Sequence, residues 1–350
     1  MNTSKTSTRK NKIALVIGAG AFGTAMAQVL SNNFEKVILK VRSEDIYTAI
    51  KAGENKIYLP GLKIASNIDA ALTWEEVDAH DTSNIELIVS ALPTNGISEY
   101  FKDNYDRFLG YLIKGIPIVS LSKGIDPETL ELSDDLFFDT YPLFKELFCF
   151  LSGPSFAHEI MQNQITLVTL AGRSKKVLEK VIPMINTDYF KVLASYDIKG
   201  VLIGGALKNV LAIAGGIIEG LGYNHNTRAA MITRGIAEML RFGRVYNARP
   251  ETFYGMSGMG DLILTTTGDL SRNKTFGLEI AKGKNPESII KSQRSVVEGY
   301  KTAKAVHFIS EKYDIRAQIF NGVYEVLYDG HAPAEVITRI MQSPSRFEID

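Results

Sequence analysis

The apolar sequence Ile13-Ala-Leu-Val-Ile17 runs directly into Gly18-Ala-Gly-Ala-Phe-Gly23, and this junction predicts the fold of the first half of the chain. The apolar run is typical of a strand buried on both faces of a parallel sheet. A G-x-G-x-x-G string between a strand and a helix predicts a dinucleotide-binding turn, in which the glycines permit a tight turn, close approach of a pyrophosphate, and helix–strand packing. The residues predicted to bind the cofactor here are Gly18, Gly20, Ala21, Phe22 and Gly23.

Short apolar runs alternate with amphipathic segments through the rest of the first half. The predicted strands are 13–17, 37–41, 85–91, 116–121, 148–151, 165–170 and 189–193. This rhythm predicts an α/β fold with an N-terminal, Rossmann-type, doubly wound sheet covered by helices on both faces. After about Asp197 the periodicity becomes helical, with predicted helices at 198–222, 227–245, 258–267, 272–282, 296–312 and 333–341. We therefore predict a dinucleotide-binding domain at 12–197, an all-helical C-terminal domain at 198–350, and a disordered leader at 1–11.

Composition argues against several classes of partner. Basic and acidic residues number 39 each, so no bulk field points to nucleic acid or a membrane surface. The single cysteine, Cys149, cannot form an intrachain disulfide and fits a reducing compartment. The polar leader lacks the apolar core of a secretory signal, and we find no apolar run of membrane-spanning length. The histidines lack metal-ligand spacing, so we expect no metal site. From the other observations we expect a cytoplasmic protein with no nucleic-acid partner and no membrane insertion.

Lys208 interrupts an almost unbroken apolar helical run at 203–217. An ionised lysine is rarely buried without a partner, since desolvating an ammonium costs several kcal/mol. One interpretation is that its stem bends outward so that the ammonium reaches water at the helix edge. The other is that the ammonium meets a carboxylate and transfers a proton, because burial brings a lysine pKa toward neutrality. The glycine turn favours the second interpretation.

Asp261 is the best carboxylate partner for Lys208. It lies between the flexible 258–260 segment and the apolar 262–264 run, and a carboxylate beside such a run needs a counter-charge. The alternative is an aspartate that caps a helix at the surface. Thr265 follows one helical turn later, so it shares a face with Asp261.

The segment Ser271-Arg-Asn273 has the composition of a phosphate clamp. If Ser271 caps a helix running to about Lys282, Arg272 lies in its first turn, where a guanidinium and backbone N–H groups bind anions. The alternative is an ordinary solvated helix start. We predict a phosphorylated substrate.

Arg42 follows the second predicted strand and bears on the choice of cofactor. An acidic residue about twenty residues beyond the glycine turn binds the ribose 2′-hydroxyl of NADH, whereas an arginine accommodates the 2′-phosphate of NADPH. Glu44 and Asp45 are better assigned to the first turn of the next helix, where negative charge is favourable. We predict that NADPH is accepted as well as NADH.

Further motifs follow the glycine turn in a fixed order. They are Ser120-Leu-Ser-Lys-Gly-Ile125, Leu151-Ser-Gly-Pro-Ser-Phe-Ala157, the Lys208 helix, and Gly258-Met-Gly-Asp-Leu262 followed by Ser271-Arg-Asn-Lys274. With these motifs the chain resembles the NAD(P)-dependent glycerol-3-phosphate dehydrogenases, in particular the bacterial form, from about Lys12 to at least Tyr300. Phe22 departs from the bacterial pattern, which often has Trp there, but an aromatic ring remains.

The resemblance implies reversible reduction of dihydroxyacetone phosphate to sn-glycerol 3-phosphate, a phospholipid precursor, by hydride transfer to C2. It assigns proton transfer to Lys208, with Asp261 as the second catalytic residue, and it implies a homodimer formed through the helical half. The further cofactor-binding residues it implies are Arg42, Lys123, Ala157, Arg272, Val296 and Glu298. The substrate-binding residues it implies are Lys123, Gly153, Ser155, Lys208, Asp261, Ser271, Arg272 and Asn273.

Two rival functions stay open on the residues alone. Another lysine-dependent reductase with this two-part layout, of the ketopantoate or 3-hydroxy acid type, takes a carboxylate substrate and does not need the 271–273 constellation. A non-catalytic NADPH-binding sensor does not need a Lys208–Asp261 pair.

Overall fold

The computed structural model describes residues 11–292 and 297–344. The chain divides into two compact units, the first comprising residues up to Lys123 together with Glu131–Leu202, and the second comprising Gly124–Leu130 and the residues from Ile203 onward. The change from one unit to the other falls after Leu202, within a helix that begins at Ile198, and the domain border at 197–198 stays a prediction. Gly124–Leu130, predicted to belong to the dinucleotide-binding domain, groups with the second unit. Of the predicted leader, residues 1–10 lie outside the described part.

The first unit is built on a single sheet. Its strands are β1 Ile13–Ile17, β2 Lys36–Lys40, β3 Ile68–Ala71, β4 Ile85–Ser90, β5 Ile118–Ser120, β6 Phe148–Ser152, β7 Thr166–Gly172 and β8 Phe190–Ser195. Their order is β3-β2-β1-β4-β5-β6-β7-β8, and every neighbouring pair is parallel except β6 and β7. The strand order reverses between β1 and β4, which is the point where doubly wound sheets bind ligands.

Helices pack on this sheet and complete the doubly wound fold. They are α1 Ala21–Leu30, α2 Glu44–Lys51, α3 Trp74–Asp78, α4 Ile97–Asp103, α5 Tyr105–Ile113, α6 Ser133–Thr140, α7 Ala157–Met161 and α8 Lys175–Ile185. All the residues of β1 are buried, as the apolar run predicts for a central parallel strand.

From Ile203 onward, the described part of the second unit consists of helices and the turns that connect them. Its helices are α9 Ile198–Gly220, which begins in the first unit, α10 His225–Val245, α11 Asp261–Thr267, α12 Arg272–Ala281, α13 Pro286–Ser292, α14 Glu298–Lys312, α15 Gln318–Tyr324 and α16 Pro333–Met341. Met256–Gly260, which leads into α11, is a π-helical turn. Helices α9 and α12 touch through their backbones, because a Cβ added at Gly216 would lie 2.0 Å from the Lys274 carbonyl oxygen.

Helix α9 corrects one expectation from the sequence. With 23 residues it is long and apolar enough to cross a membrane, so the expectation that no apolar run reaches that length was wrong. The most apolar window of α9 is entirely buried within the structure. A core helix of this kind passes the same test of length and composition as a membrane span.

Candidate functional site

The glycine turn of the first unit leaves room for a dinucleotide. Gly18 has φ of +99°, and its N–H donates to the Lys40 carbonyl at 3.0 Å. A Cβ at Gly23 would lie 2.1 Å from the Gly18 carbonyl oxygen, whereas no described atom lies within 4 Å of the corresponding position at Gly20. Gly20 is also the N-cap of α1, whose first N–H groups have no acceptor within the helix. The turn therefore fits a pyrophosphate at the start of α1.

Two buried hydroxyls at the carboxyl end of β4 support the same fit. Ser90 is fully buried and Thr94 is nearly so. Neither hydroxyl has a hydrogen-bond partner among the described residues. Buried polar groups are normally satisfied, so a ligand at this edge of the sheet would account for both. Neither residue belongs to a motif that would have marked it in the sequence.

Lys123 contacts several predicted site residues of the first unit. Its Nζ lies 3.0 Å from the Gly153 carbonyl oxygen and 3.5 Å from the Ser155 hydroxyl. The same ammonium lies 5.5 Å from the centre of the Phe22 ring, within cation–π range. Ala157 opens α7 directly after this turn. Residues from three separate motifs therefore form one cluster.

Arg42 lies just beyond β2, and its side chain is exposed. Lys40, at the end of the same strand, accepts the hydrogen bond from the Gly18 N–H. Arg42 therefore lies just beyond Lys40, the residue whose carbonyl binds the glycine turn. Its role toward NADPH stays a prediction.

Lys208 and Asp261 form a buried ion pair in the second unit. The Lys208 Nζ lies 2.9 Å from Asp261 Oδ1, and the two side chains are 10% and 2% exposed. The ammonium also donates to the Thr265 hydroxyl at 3.0 Å, and that hydroxyl lies 2.6 Å from the Asp261 carbonyl oxygen. Lys208 is thus not turned outward to water, and Asp261 is not a surface cap. The pair has the geometry of a proton donor held by a carboxylate.

A chain of amide hydrogen bonds lies beside this pair. The Asn273 amide donates to Asn209 Oδ1 at 3.0 Å, and the Asn209 amide donates to Glu298 Oε2 at 3.2 Å. The Gly299 N–H in turn donates to Asn273 Oδ1 at 3.0 Å. Because Asn209 follows Lys208 in α9, these bonds hold the starts of α12 and α14 against the helix that carries the ammonium.

Ser271 caps α12, as the sequence predicts. Its hydroxyl accepts from the Lys274 N–H at 3.2 Å. Arg272 is the first residue of the helix and is exposed, whereas Asn273 is buried. Arg272 therefore lies at the positive end of a helix dipole, next in sequence to Asn273 of the amide chain.

The predicted site residues fall into two clusters, one in each unit. The first comprises Phe22, which belongs to the glycine turn, together with Lys123, Gly153 and Ser155. The second comprises Lys208, Asp261, Arg272, Asn273 and Glu298. Val296 lies outside the described residues, so its predicted role stays a prediction. Over residues 11–292 and 297–344, no three His, Cys, Asp or Glu side chains are grouped as a metal site requires.

A glycine turn at the switch point of a doubly wound sheet, joined in one chain to a buried ammonium–carboxylate pair, defines a dinucleotide-dependent dehydrogenase. The N-terminal profile of the NAD-dependent glycerol-3-phosphate dehydrogenases matches residues 12–178, and their C-terminal profile matches residues 197–338. The chain belongs to this family.

Relatives and a solved structure agree with this assignment. A glycerol-3-phosphate dehydrogenase (NAD(P)+) of Solidesulfovibrio magneticus is 38% identical over 331 residues, covering 94% of this chain and 98% of the relative. The enzyme of that name from Myxococcus xanthus is 39% identical over 336 residues, covering 95% and 98%. A crystal structure of glycerol-3-phosphate dehydrogenase from Coxiella burnetii superimposes with a TM-score of 0.84 at 28% identity, covering 95% and 99%.

Proposed function

We propose that this chain catalyses the reversible, NAD(P)H-dependent reduction of dihydroxyacetone phosphate to sn-glycerol 3-phosphate, which supplies glycerophospholipid synthesis. The buried Lys208–Asp261 pair beside the start of α12 is the observation that supports assigning the chemistry to these residues. An ammonium there meets the carbonyl of the substrate, and Arg272 meets the phosphate.

Lys208 performs the proton transfer. When bound, the nicotinamide supplies the hydride for C2. As the carbonyl oxygen gains negative charge, the Lys208 ammonium stabilises it and donates a proton, and in the reverse direction the amine accepts that proton. Asp261 and Thr265 hold Nζ in place through their bonds at 2.9 and 3.0 Å, so little reorganisation accompanies the step.

Arg272 provides the phosphate recognition. Helix α12 has 10 residues, and its capped N-terminus favours an anion. A guanidinium adds charge-assisted hydrogen bonds to phosphate oxygens. Asn273, fixed by Asn209 and the Gly299 N–H, keeps this helix start next to Lys208.

The two units divide the remaining work. We assign cofactor binding to the first unit, through the glycine turn, Arg42, Lys123 and Ala157, with Val296, Glu298 and Arg272 contributing from the rest of the chain. Lys123, Gly153 and Ser155 contact the substrate as well. We also propose that the enzyme is a cytoplasmic homodimer assembled through its helical half without membrane insertion. Sedimentation equilibrium of the full chain tests this: the mass of a monomer would contradict it.

A substrate panel tests the proposed reaction. NADPH and NADH oxidation is followed with dihydroxyacetone phosphate, dihydroxyacetone, ketopantoate and a 3-keto acid. We expect turnover with dihydroxyacetone phosphate and far less with the others, because only it offers both a ketone and a phosphate. Turnover of a keto acid in preference would favour a different reductase, and cofactor binding without oxidation of any of them would favour a sensor.

A further inference from the structure

Lys274 is buried in the first turn of α12, two residues after Arg272. The residue is only 3% exposed. Its Nζ lies 3.2 Å from the Thr267 carbonyl oxygen, 3.0 Å from Asp269 Oδ1 and 3.2 Å from Glu219 Oε2. A buried ammonium therefore lies next to the proposed phosphate-binding residue without having been assigned a role.

The contacts of Lys274 argue against direct binding of substrate. A lysine ammonium has three N–H donors, and the structure supplies three acceptors within hydrogen-bond distance. Two of those acceptors are carboxylates, from Asp269 and Glu219, so the charge of Lys274 is neutralised locally. Two hydrogen bonds and an ion pair thus occupy the ammonium, and the two carboxylates around it disfavour a phosphate there.

The three acceptors belong to the elements that carry the proposed chemistry. Thr267 is the last residue of α11, which carries Asp261. Asp269 lies in the turn between α11 and α12. Glu219 lies in the last turn of α9, which carries Lys208. Lys274 therefore joins the helix of the acid–base pair, the helix of its carboxylate, and the helix start that presents Arg272.

Resting on the proposed function, we propose that Lys274 is a positioning residue that fixes the distance between the Lys208–Asp261 pair and the Arg272 guanidinium. Close contact between the Gly216 position of α9 and the Lys274 carbonyl holds the backbone of α12. The side chain of Lys274 then holds the turn between α11 and α12 through its bonds to Thr267 and Asp269. Lys208 and Asp261 are joined by a direct bond at 2.9 Å in which neither Lys274 nor this turn takes part.

Loss of the ammonium should therefore weaken phosphate recognition more than proton transfer. For Lys274→Met we expect KM for dihydroxyacetone phosphate to rise about tenfold, the effect of weakening one charge-assisted hydrogen bond. The inhibition constant of inorganic phosphate, competing with this substrate, should rise in parallel. The value of kcat should change little, and Lys274→Arg should restore much of the phosphate affinity.

Two further variants make the test decisive. Asp269→Asn removes one negative charge from a side chain that is 96% exposed, so it leaves the core intact, weakens the bond to Lys274 without removing it, and should raise the same two constants by a smaller factor. Lys282→Met removes an exposed ion pair with Glu279 on the same helix and should change neither constant. If Lys274→Met does not fold, Asp269→Asn decides the question.

The proposal is overturned if the folded Lys274→Met protein, or Asp269→Asn in its place, keeps the parent constants for dihydroxyacetone phosphate and inorganic phosphate. It is also overturned if kcat falls while both constants stay unchanged. Failure of the proposed function has a different signature, because the unmodified enzyme would then fail to prefer dihydroxyacetone phosphate to dihydroxyacetone.

Discussion

Replacing Lys208 should separate the structural role of the ion pair from its catalytic role. In Lys208→Met the Asp261 carboxylate, with a side chain only 2% exposed, loses its ammonium. Breaking one side of a buried ion pair costs about 3–5 kcal/mol of unfolding free energy. In Lys208→Met/Asp261→Asn both charges are gone, and the new amide can still bond to Thr265, so most of that loss should be recovered.

Catalysis should not recover with stability. Both the single and the double variant lack a proton donor, so kcat should be lower by roughly 10²–10⁴ in each. Unfolding free energies come from urea titrations at neutral pH, and turnover comes from NADPH oxidation with dihydroxyacetone phosphate. Binding of NADPH, measured by its fluorescence, serves as the control, and it should survive in both variants.

Either of two results would refute this reasoning. A single variant that turns over at the parental rate removes Lys208 from the mechanism. A double variant that regains turnover together with stability would mean that the pair is needed only for folding.

Three other substitutions test separate parts of the account. Arg272→Ala should lower kcat/KM for dihydroxyacetone phosphate by a factor equivalent to about 1.5–3 kcal/mol, the value of a charged hydrogen bond, and should lower kcat/KM for dihydroxyacetone, which lacks the phosphate, much less. Arg42→Ala should raise KM for NADPH and not for NADH; a cofactor preference that stays unchanged would contradict its role. Burial raises the pKa of Glu238 from 4.5 to about 7, although backbone N–H donors, Arg241 and Arg234 oppose the shift. The contribution of protonated Glu238 to stability is therefore complete below about pH 4.5 and is lost as pH rises through 7. Urea titrations over this range should show the free energy of unfolding of the parent falling by up to about 3 kcal/mol relative to that of Glu238→Gln.

The sheet was predictable where apolar runs mark its strands and less so at the β3 edge. Strand β1 is fully buried, so its sequence is an unbroken apolar run. Strand β3, Ile68-Asp-Ala-Ala71, was missed because an aspartate and two alanines have low strand propensity. It is a strand because it pairs in parallel with β2, which no local pattern reveals.

The site residues were likewise predictable where the local sequence is unusual, and not where tertiary packing decides their environment. Lys208 stood out because a charge inside an apolar helix requires an explanation, and Asp261 stood out as a carboxylate between a glycine-rich segment and an apolar run. Lys274 did not stand out, because a lysine in the first turn of a polar helix reads as solvated. Its burial follows from the close packing of α12 on Gly216, a contact set by tertiary structure.

The most direct test of the central claim is a crystal structure of the enzyme with NADP+ and sn-glycerol 3-phosphate. We expect the C2 hydroxyl of the product to lie within hydrogen-bond distance of Lys208 Nζ while its phosphate contacts the Arg272 guanidinium. A product molecule bound with its phosphate away from Arg272, or with its C2 hydroxyl out of reach of Lys208, would contradict it.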